Sequence, residues 1–315
     1  MGRGTIASGD DSTALGANTE ASGLHSTAMG IGTEAIGNVS TAMGGNTKAS
    51  GTVSTAMGDI TIASGTVSTA MGGLTTASGN YSTSMGANTV ASGHFSTAMG
   101  HQTQAIGDAS TSMGTSTIAS GTHSTAMGFD TNASGVSSTA MGNNTLASDY
   151  NSLAVGRYNL LGSTVTNSAT DFSLENTAFV IGNGTDSENR SDALVVKFNG
   201  DATLAGNLNI NSDARLKSNI ISLGSTLSKL LQIDGKSYTM KKDESEKQKI
   251  GLLAQDIEKV FPELVSESHG VKSVNYQGLV PVLINALKEQ QAEIDRLKTQ
   301  EERLERLEKL VAAMD

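Results

Sequence analysis

The chain has 315 residues with 36 glycines, 2 prolines, 3% aromatic residues and no cysteine, which disfavours one compact globule and excludes disulfides and thiolate metal sites. Its net charge of -10 lies almost wholly on residues 1–211, which hold 5 basic against 14 acidic side chains, whereas residues 212–315 hold 16 against 17. The first part therefore presents no basic surface to nucleic acid, and an anionic ligand is disfavoured as its partner.

The N-terminus, Met1-Gly2-Arg3-Gly4-Thr5, has no apolar signal region, and no run of about 18 apolar residues occurs anywhere, so neither a signal peptide nor membrane insertion is expected. Met1 opens in the middle of a repeat, which reads as a fragment of a longer chain.

From Thr5 the sequence repeats every 14 residues. The serine that opens Ser-Thr-Ala-Met-Gly recurs eleven times, from Ser12 to Ser152, and a second block, Thr-x-Ala-x-Gly, alternates with it from Thr5. The eleventh copy of the second block ends in Asp149 in place of glycine. Self-similarity at a fixed short period predicts a solenoid whose turns stack only on their neighbours. Each half-repeat alternates with period two, so it reads as a short strand. One face of Ser-Thr-Ala-Met-Gly carries Ser, Ala and Gly, small enough for two strands to meet across a narrow interior.

The other face carries Thr and Met. Met29, Met43, Met57, Met71, Met85, Met99, Met113, Met127 and Met141 form one column, preceded by Leu15 and followed by Val155. An unbroken apolar stripe along a polar rod predicts an interaction surface, and three chains with their stripes facing a common axis are the simplest closed arrangement. Turn positions carry the variable residues, among them His25, His94, His101, His123, Tyr81, Phe95 and Phe129. Only His25 and His123, seven coils apart, share a repeat position, so the histidines read as solvated turn residues, with no metal or cofactor site.

The alternation of Ser-x-Ala-x-Gly with Thr-x-Ala-x-Gly over residues 5–156 resembles the head repeat of trimeric autotransporter adhesins. That resemblance implies a trimeric, left-handed parallel β-roll, and eleven turns at about 4.8 Å each give a rod of roughly 50 Å. The membrane-anchoring barrel of those adhesins has no counterpart here, which argues against an autotransporter as such.

Residues 157–211 break the period and read as a β connector. Ala178–Gly184 and Ala193–Gly200 are expected strands, with a tight turn at Asn199-Gly200-Asp201 leading to Ala202-Thr203-Leu204.

Residues 212–315 change to mixed α and β. Gln248–Leu253 reads as a strand entering an amphipathic helix that Pro262 stops. A second helix is expected to begin near Tyr276 to Leu279 and run to the C-terminus. In it Leu283, Leu287, Ile294, Leu297, Leu304 and Val311 alternate spacings of three and four, a coiled-coil seam interrupted by Gln290, Glu301 and Glu308.

Four blocks in order carry a second resemblance: Ser212-Asp213-x-Arg215-x-Lys217; Gly251–Ile257 with Phe261–Val265; Val274–Pro281; and Leu287-Lys288-Glu289-Gln290. They are similar to the C-terminal intramolecular chaperone domain of phage endosialidase tailspikes and tail fibres, also classed as a self-cleaving serine peptidase. The resemblance implies a trimeric domain that assists folding of a β-rich fibre and then cuts the bond between Asn211 and Ser212. Its dyad falls on Ser212 as nucleophile and Lys217 as general base, because a serine hydroxyl is a weak nucleophile and a buried lysine can lose its charge. Asp213 and Arg215 become supporting residues that shape the turn and hold the scissile peptide. Asn211 stands where some relatives have histidine.

Together these readings predict a mainly β homotrimer: a β-roll over residues 1–156, a connector over 157–211 and an α+β chaperone with a C-terminal coiled coil over 212–315. The expected function is a tail-fibre-like structural protein of a virion or an extracellular surface appendage, matured by autoproteolysis, with a cell-surface receptor or glycan as a possible partner. The alternative is an adhesin-like or ice-binding module without peptidase activity, whose working face would be the threonine columns Thr13–Thr139 and Thr5–Thr145.

Overall fold

A computed structural model describes residues 2–162, 164, 168–241 and 247–314. The chain divides into two compact units, Met1–Asn209 and Ile210–Asp315.

The first unit is a parallel β-solenoid. Each coil gives a five-residue strand, from Thr13–Ala17 to Leu153–Arg157, and a two-residue strand, from Ile6–Ala7 to Leu146–Ala147. Among the described residues these stack into two sheets, the short strands forming one of 11 strands. Pairing is offset by one repeat throughout, so Met43 lies opposite Met57 and Gly44 opposite Gly58. Like therefore stacks on like, and the sequence period is the register of the sheet.

Small residues fill the space between the sheets. Ala28, Ala35, Ala42 and Ala49 are fully buried, as are Ser26 and Thr33. Most of the buried serine and threonine hydroxyls have no hydrogen-bond partner among the described residues. Ser84 and Ser112 replace the usual alanine, and each meets the threonine five residues on, Thr89 or Thr117, at 2.7 Å. With so little apolar area inside, stability rests heavily on the backbone ladder.

That ladder dictates the glycine of Ser-Thr-Ala-Met-Gly. Gly72 has φ +120°, and a Cβ there would lie 2.0 Å from the Gly86 carbonyl oxygen of the next coil. The turns also force left-handed backbone on residues with side chains. Val39, Val53, Val67, Tyr81 and Phe95 all have φ of 55–58°, a conformation that costs a bulky residue about 1–2 kcal/mol.

The methionine column lies on the outward face of the long strands. Met29 and Met127 are each 38% exposed and the other seven are half-buried. The two threonine columns do not share a face, which corrects the ice-binding reading. Thr19, Thr33 and their equivalents through Thr145 are buried, with at most 1% exposure, because they belong to the interior. Thr27 and its equivalents are half-buried beside the methionines.

The connector continues the roll and closes its last coil. Thr177–Asn183 adds in parallel to Leu153–Arg157, with Gly182 opposite Gly156. Asp192–Lys197 and Ala202–Leu204 follow antiparallel, completing a 14-stranded sheet. The short sheet is closed by a side chain. The Asn159 Oδ1 accepts from the Leu146 amide at 2.8 Å and its Nδ2 donates to the Leu146 carbonyl at 3.0 Å, imitating a further strand. Asp149 is buried at the point where glycine is lost, and its Oδ2 accepts from the Thr177 amide at 2.9 Å.

The second unit is α+β. Lys236–Tyr238 pairs with Lys249–Gly251, and the hairpin Val265–Ser268 with Val271–Val274. The helix Ala254–Val260 ends before Pro262, and Leu279–Ala312 forms a helix of 34 residues. Ile257, Phe261, Leu264, Leu279 and Val282 form the core, flanked by Leu230, Ile233, Leu252 and Val274. Leu283, Leu287, Ile294, Leu297, Leu304 and Val311 lie outside it, 39% to 63% exposed.

Candidate active site at residues 211–217

Asp213 starts the local structure. Its Oδ1 accepts from the Arg215 amide at 2.9 Å and caps a single 3-10 turn, Ala214–Leu216. The Lys217 amide closes the turn on the Ala214 carbonyl at 3.1 Å. A turn of this pitch brings the residues flanking it onto one side, and Lys217 Nζ donates to Ser212 Oγ at 2.7 Å.

Arg215 folds back on the cap. Its Nε lies 3.1 Å from both Asp213 oxygens and its Nη2 2.6 Å from Oδ2, a forked, charge-assisted contact. The Arg215 side chain, followed by its amide, holds the Asp213 carboxyl below its ordinary value of 3.8. The contacts of Arg215 among the described residues are thus with the turn itself.

Ser212 and Lys217 are exposed in the single chain, within an unbroken run of exposed residues from 200 to 225. The run includes Ile210, Leu216, Ile220 and Ile221, with Ile221 86% exposed. Among the described residues none covers Lys217.

Immediately downstream the segment is pinned to the long helix through Thr226, Asn285 and Glu289, of which only Glu289 lies in a block named from the sequence. Thr226 Oγ1 donates to the Val282 carbonyl at 2.9 Å, and Asn285 Nδ2 donates to the Gly224 carbonyl at 3.3 Å. Glu289 accepts from the Ser225 hydroxyl at 2.6 Å and from the amides of Thr226 and Leu227, capping the short helix Leu227–Leu230. The Ser225 hydroxyl, then the Thr226 amide, holds the Glu289 carboxyl below its ordinary value of 4.5. Val282, Asn285 and Glu289 fall on one helix face, a spacing that is visible in the sequence. Their partners lie 56 to 64 residues upstream and are not.

Residues 212–266 match the family described as the chaperone of endosialidase, a peptidase family. The match begins at Ser212, the first residue of the candidate dyad. The chaperone-family segment thus spans the 3-10 turn, the short helix, the central strands and the Ala254–Val260 helix. The roll matches the YadA head domain repeat over residues 7–33, 35–59, 63–89, 77–103, 91–117, 105–131 and 133–159. The long tail fiber protein Gp37 of Salmonella phage S16 is 32% identical over 114 residues, covering 33% of this chain and 15% of the relative. The chain thus corresponds to a small part of that relative's length. Beyond the matched segment, a Cβ at Gly278 would come within 2.3 Å of Leu264 Cδ2, so the two residues pack closely there.

Proposed function

We propose that this chain is a trimeric, tail-fibre-like structural protein of a virion, whose C-terminal chaperone drives trimer folding and is released by cleavage between Asn211 and Ser212. The observation that carries the cleavage is the 2.7 Å contact between Lys217 Nζ and Ser212 Oγ at the first residue of the chaperone-family match. The exposed seam from Leu283 to Val311, the methionine stripe and the exposed run around Ile220 and Ile221 support assembly, because a lone chain leaves all three uncovered.

Ser212 follows the scissile peptide, so its Oγ attacks the Asn211 carbonyl from within the same residue pair. Lys217, in its neutral form, takes the hydroxyl proton. The Oγ–C bond forms, the C–N bond breaks, and the freed Ser212 amine takes the proton back from Lys217. Water then hydrolyses the ester, leaving an Asn211 carboxylate and restoring the serine hydroxyl. In the single chain Lys217 donates to Ser212. The base form needs burial, and burial by neighbouring chains makes the cut follow assembly.

Intact mass spectrometry of the purified product tests the reading. The expected products are residues 1–211 and 212–315, with Ser212→Ala and Lys217→Ala each giving one uncut chain. An uncut unmodified trimer would refute the peptidase half.

A further inference from the structure

One turn position of the roll, left-handed in every coil, carries Val67, Tyr81, Phe95, Ala109 and His123 in succession. Asparagine or glycine would suit that backbone better than aromatic side chains. Tyr81 and Phe95 stack with centroids 5.0 Å apart and planes 4° from parallel, yet they are 54% and 62% exposed. The next rungs rise in the same register: the Phe95 amide donates to the Asn80 carbonyl, Ala109 to His94 and His123 to Asp108, at 2.7–2.9 Å.

Ala109 interrupts this ladder of rings. Phe95 and His123 are two rungs apart, about 10 Å at the usual strand spacing, and only a methyl group stands between them. That gap takes one further ring at stacking distance from both sides. Beside it Asp108 uses Oδ1 to accept from the His94 amide at 2.9 Å, and its second oxygen has no partner among the described residues. A free carboxylate oxygen accepts hydroxyl hydrogen bonds. The surrounding charge, 14 acidic against 5 basic residues over residues 1–211, repels a carboxylated or phosphorylated ring.

We propose that Phe95, Ala109 and His123 form a slot for the ring of a neutral sugar, with Asp108 accepting from its hydroxyls. The slot is independent of the chemistry at Ser212.

Saturation-transfer difference NMR on the full chain tests it, with the methyl glycosides of galactose, glucose and mannose as neutral probes. The methyl glycoside of N-acetylneuraminic acid serves as the anionic probe and p-cresol stands in for an aromatic side chain. Transfer to at least one neutral glycoside is expected. Ala109→Phe fills the empty rung with a residue that the preceding turn already accepts, and should abolish transfer. Ala109→Val, matching Val67, is a second blocked variant should the first fail to fold. Phe95→Ala should weaken affinity by about 2- to 10-fold, the worth of one aromatic contact. Equal transfer in the blocked variants, transfer only from p-cresol or the anionic sugar, or no transfer, as when a second copy covers the ladder, would each overturn the proposal.

Discussion

Gly72 and Gly73 are neighbours in one strand with opposite expectations on substitution by alanine. Gly72 has φ +120°, and its added Cβ would sit 2.0 Å from the Gly86 carbonyl oxygen, an atom fixed in the ladder. Backbone strain of about 1.5 kcal/mol and overpacking of about 1.5 kcal/mol, each towards the lower end of its range, sum to about 3 kcal/mol. Gly73 has nothing within 4 Å of an added Cβ, and the next coil already carries Ala87 at the paired position. Gly73→Ala should be neutral or stabilise by about 0.4–1 kcal/mol through the unfolded chain. In a unit of this size 1 kcal/mol moves the melting temperature by about 2–4 °C. Circular dichroism melts in the β region should place Gly72→Ala about 6–12 °C below the unmodified chain and Gly73→Ala at or slightly above it. Equal melting of the two variants would refute the claim that the carbonyl ladder dictates this glycine.

Asp149→Gly restores the repeat consensus yet should destabilise by about 1.5–3 kcal/mol, because the Thr177 amide loses a charged acceptor; denaturant midpoints check it. Glu289 has its carboxyl held below 4.5 by Ser225 and Thr226, so its contribution is present above the unfolded value and lost as pH falls through the lower folded value. The protection of the Thr226 amide, its exchange measured against the unfolded-peptide rate at the same pH, should therefore fall as the carboxyl is protonated in acid, and Glu289→Gln should remove that pH dependence. Leu297→Asp puts a charge into the exposed seam and, on the proposed trimer, should shift sedimentation from trimer towards monomer while the Ile257 core stays folded.

The roll was legible in the sequence because each coil repeats one set of demands. A carbonyl stacked against every Gly16 equivalent, and a small residue, alanine or serine, pressed between sheets at every Ala28 equivalent, leave the same residue types at the same spacing. The ends were less legible, since their partners lie outside the repeat. The departure at Asp149 is visible, but its acceptor role towards Thr177, 28 residues on, needs the connector strand in place. The two threonine columns look alike as text and differ only in which side of the coil they occupy. At residues 211–217 the sequence supplies residue types and spacing, while the turn that joins Lys217 to Ser212 depends on the Asp213 cap. The clamp by Glu289 was hidden because it joins segments more than 60 residues apart.

The exposure of Lys217 bears on when the proposed cut occurs. In the single chain the exposed Lys217 Nζ donates to Ser212 Oγ at 2.7 Å, so while that contact stands the serine has a donor and no base beside it. Removing water from that contact requires apolar cover, and exposed apolar side chains close in sequence are Ile210, Leu216, Ile220 and Ile221. In a trimer the same side chains that bring chains together would also desolvate the dyad. Assembly and activation then share one surface, and no separate trigger is needed. A slow, non-local β-roll gains from this order, because its chains stay tethered until they pair in register. On the proposed reading, cutting afterwards would remove the tether and leave unfolding as the way back, so that the fibre would be held by its unfolding barrier.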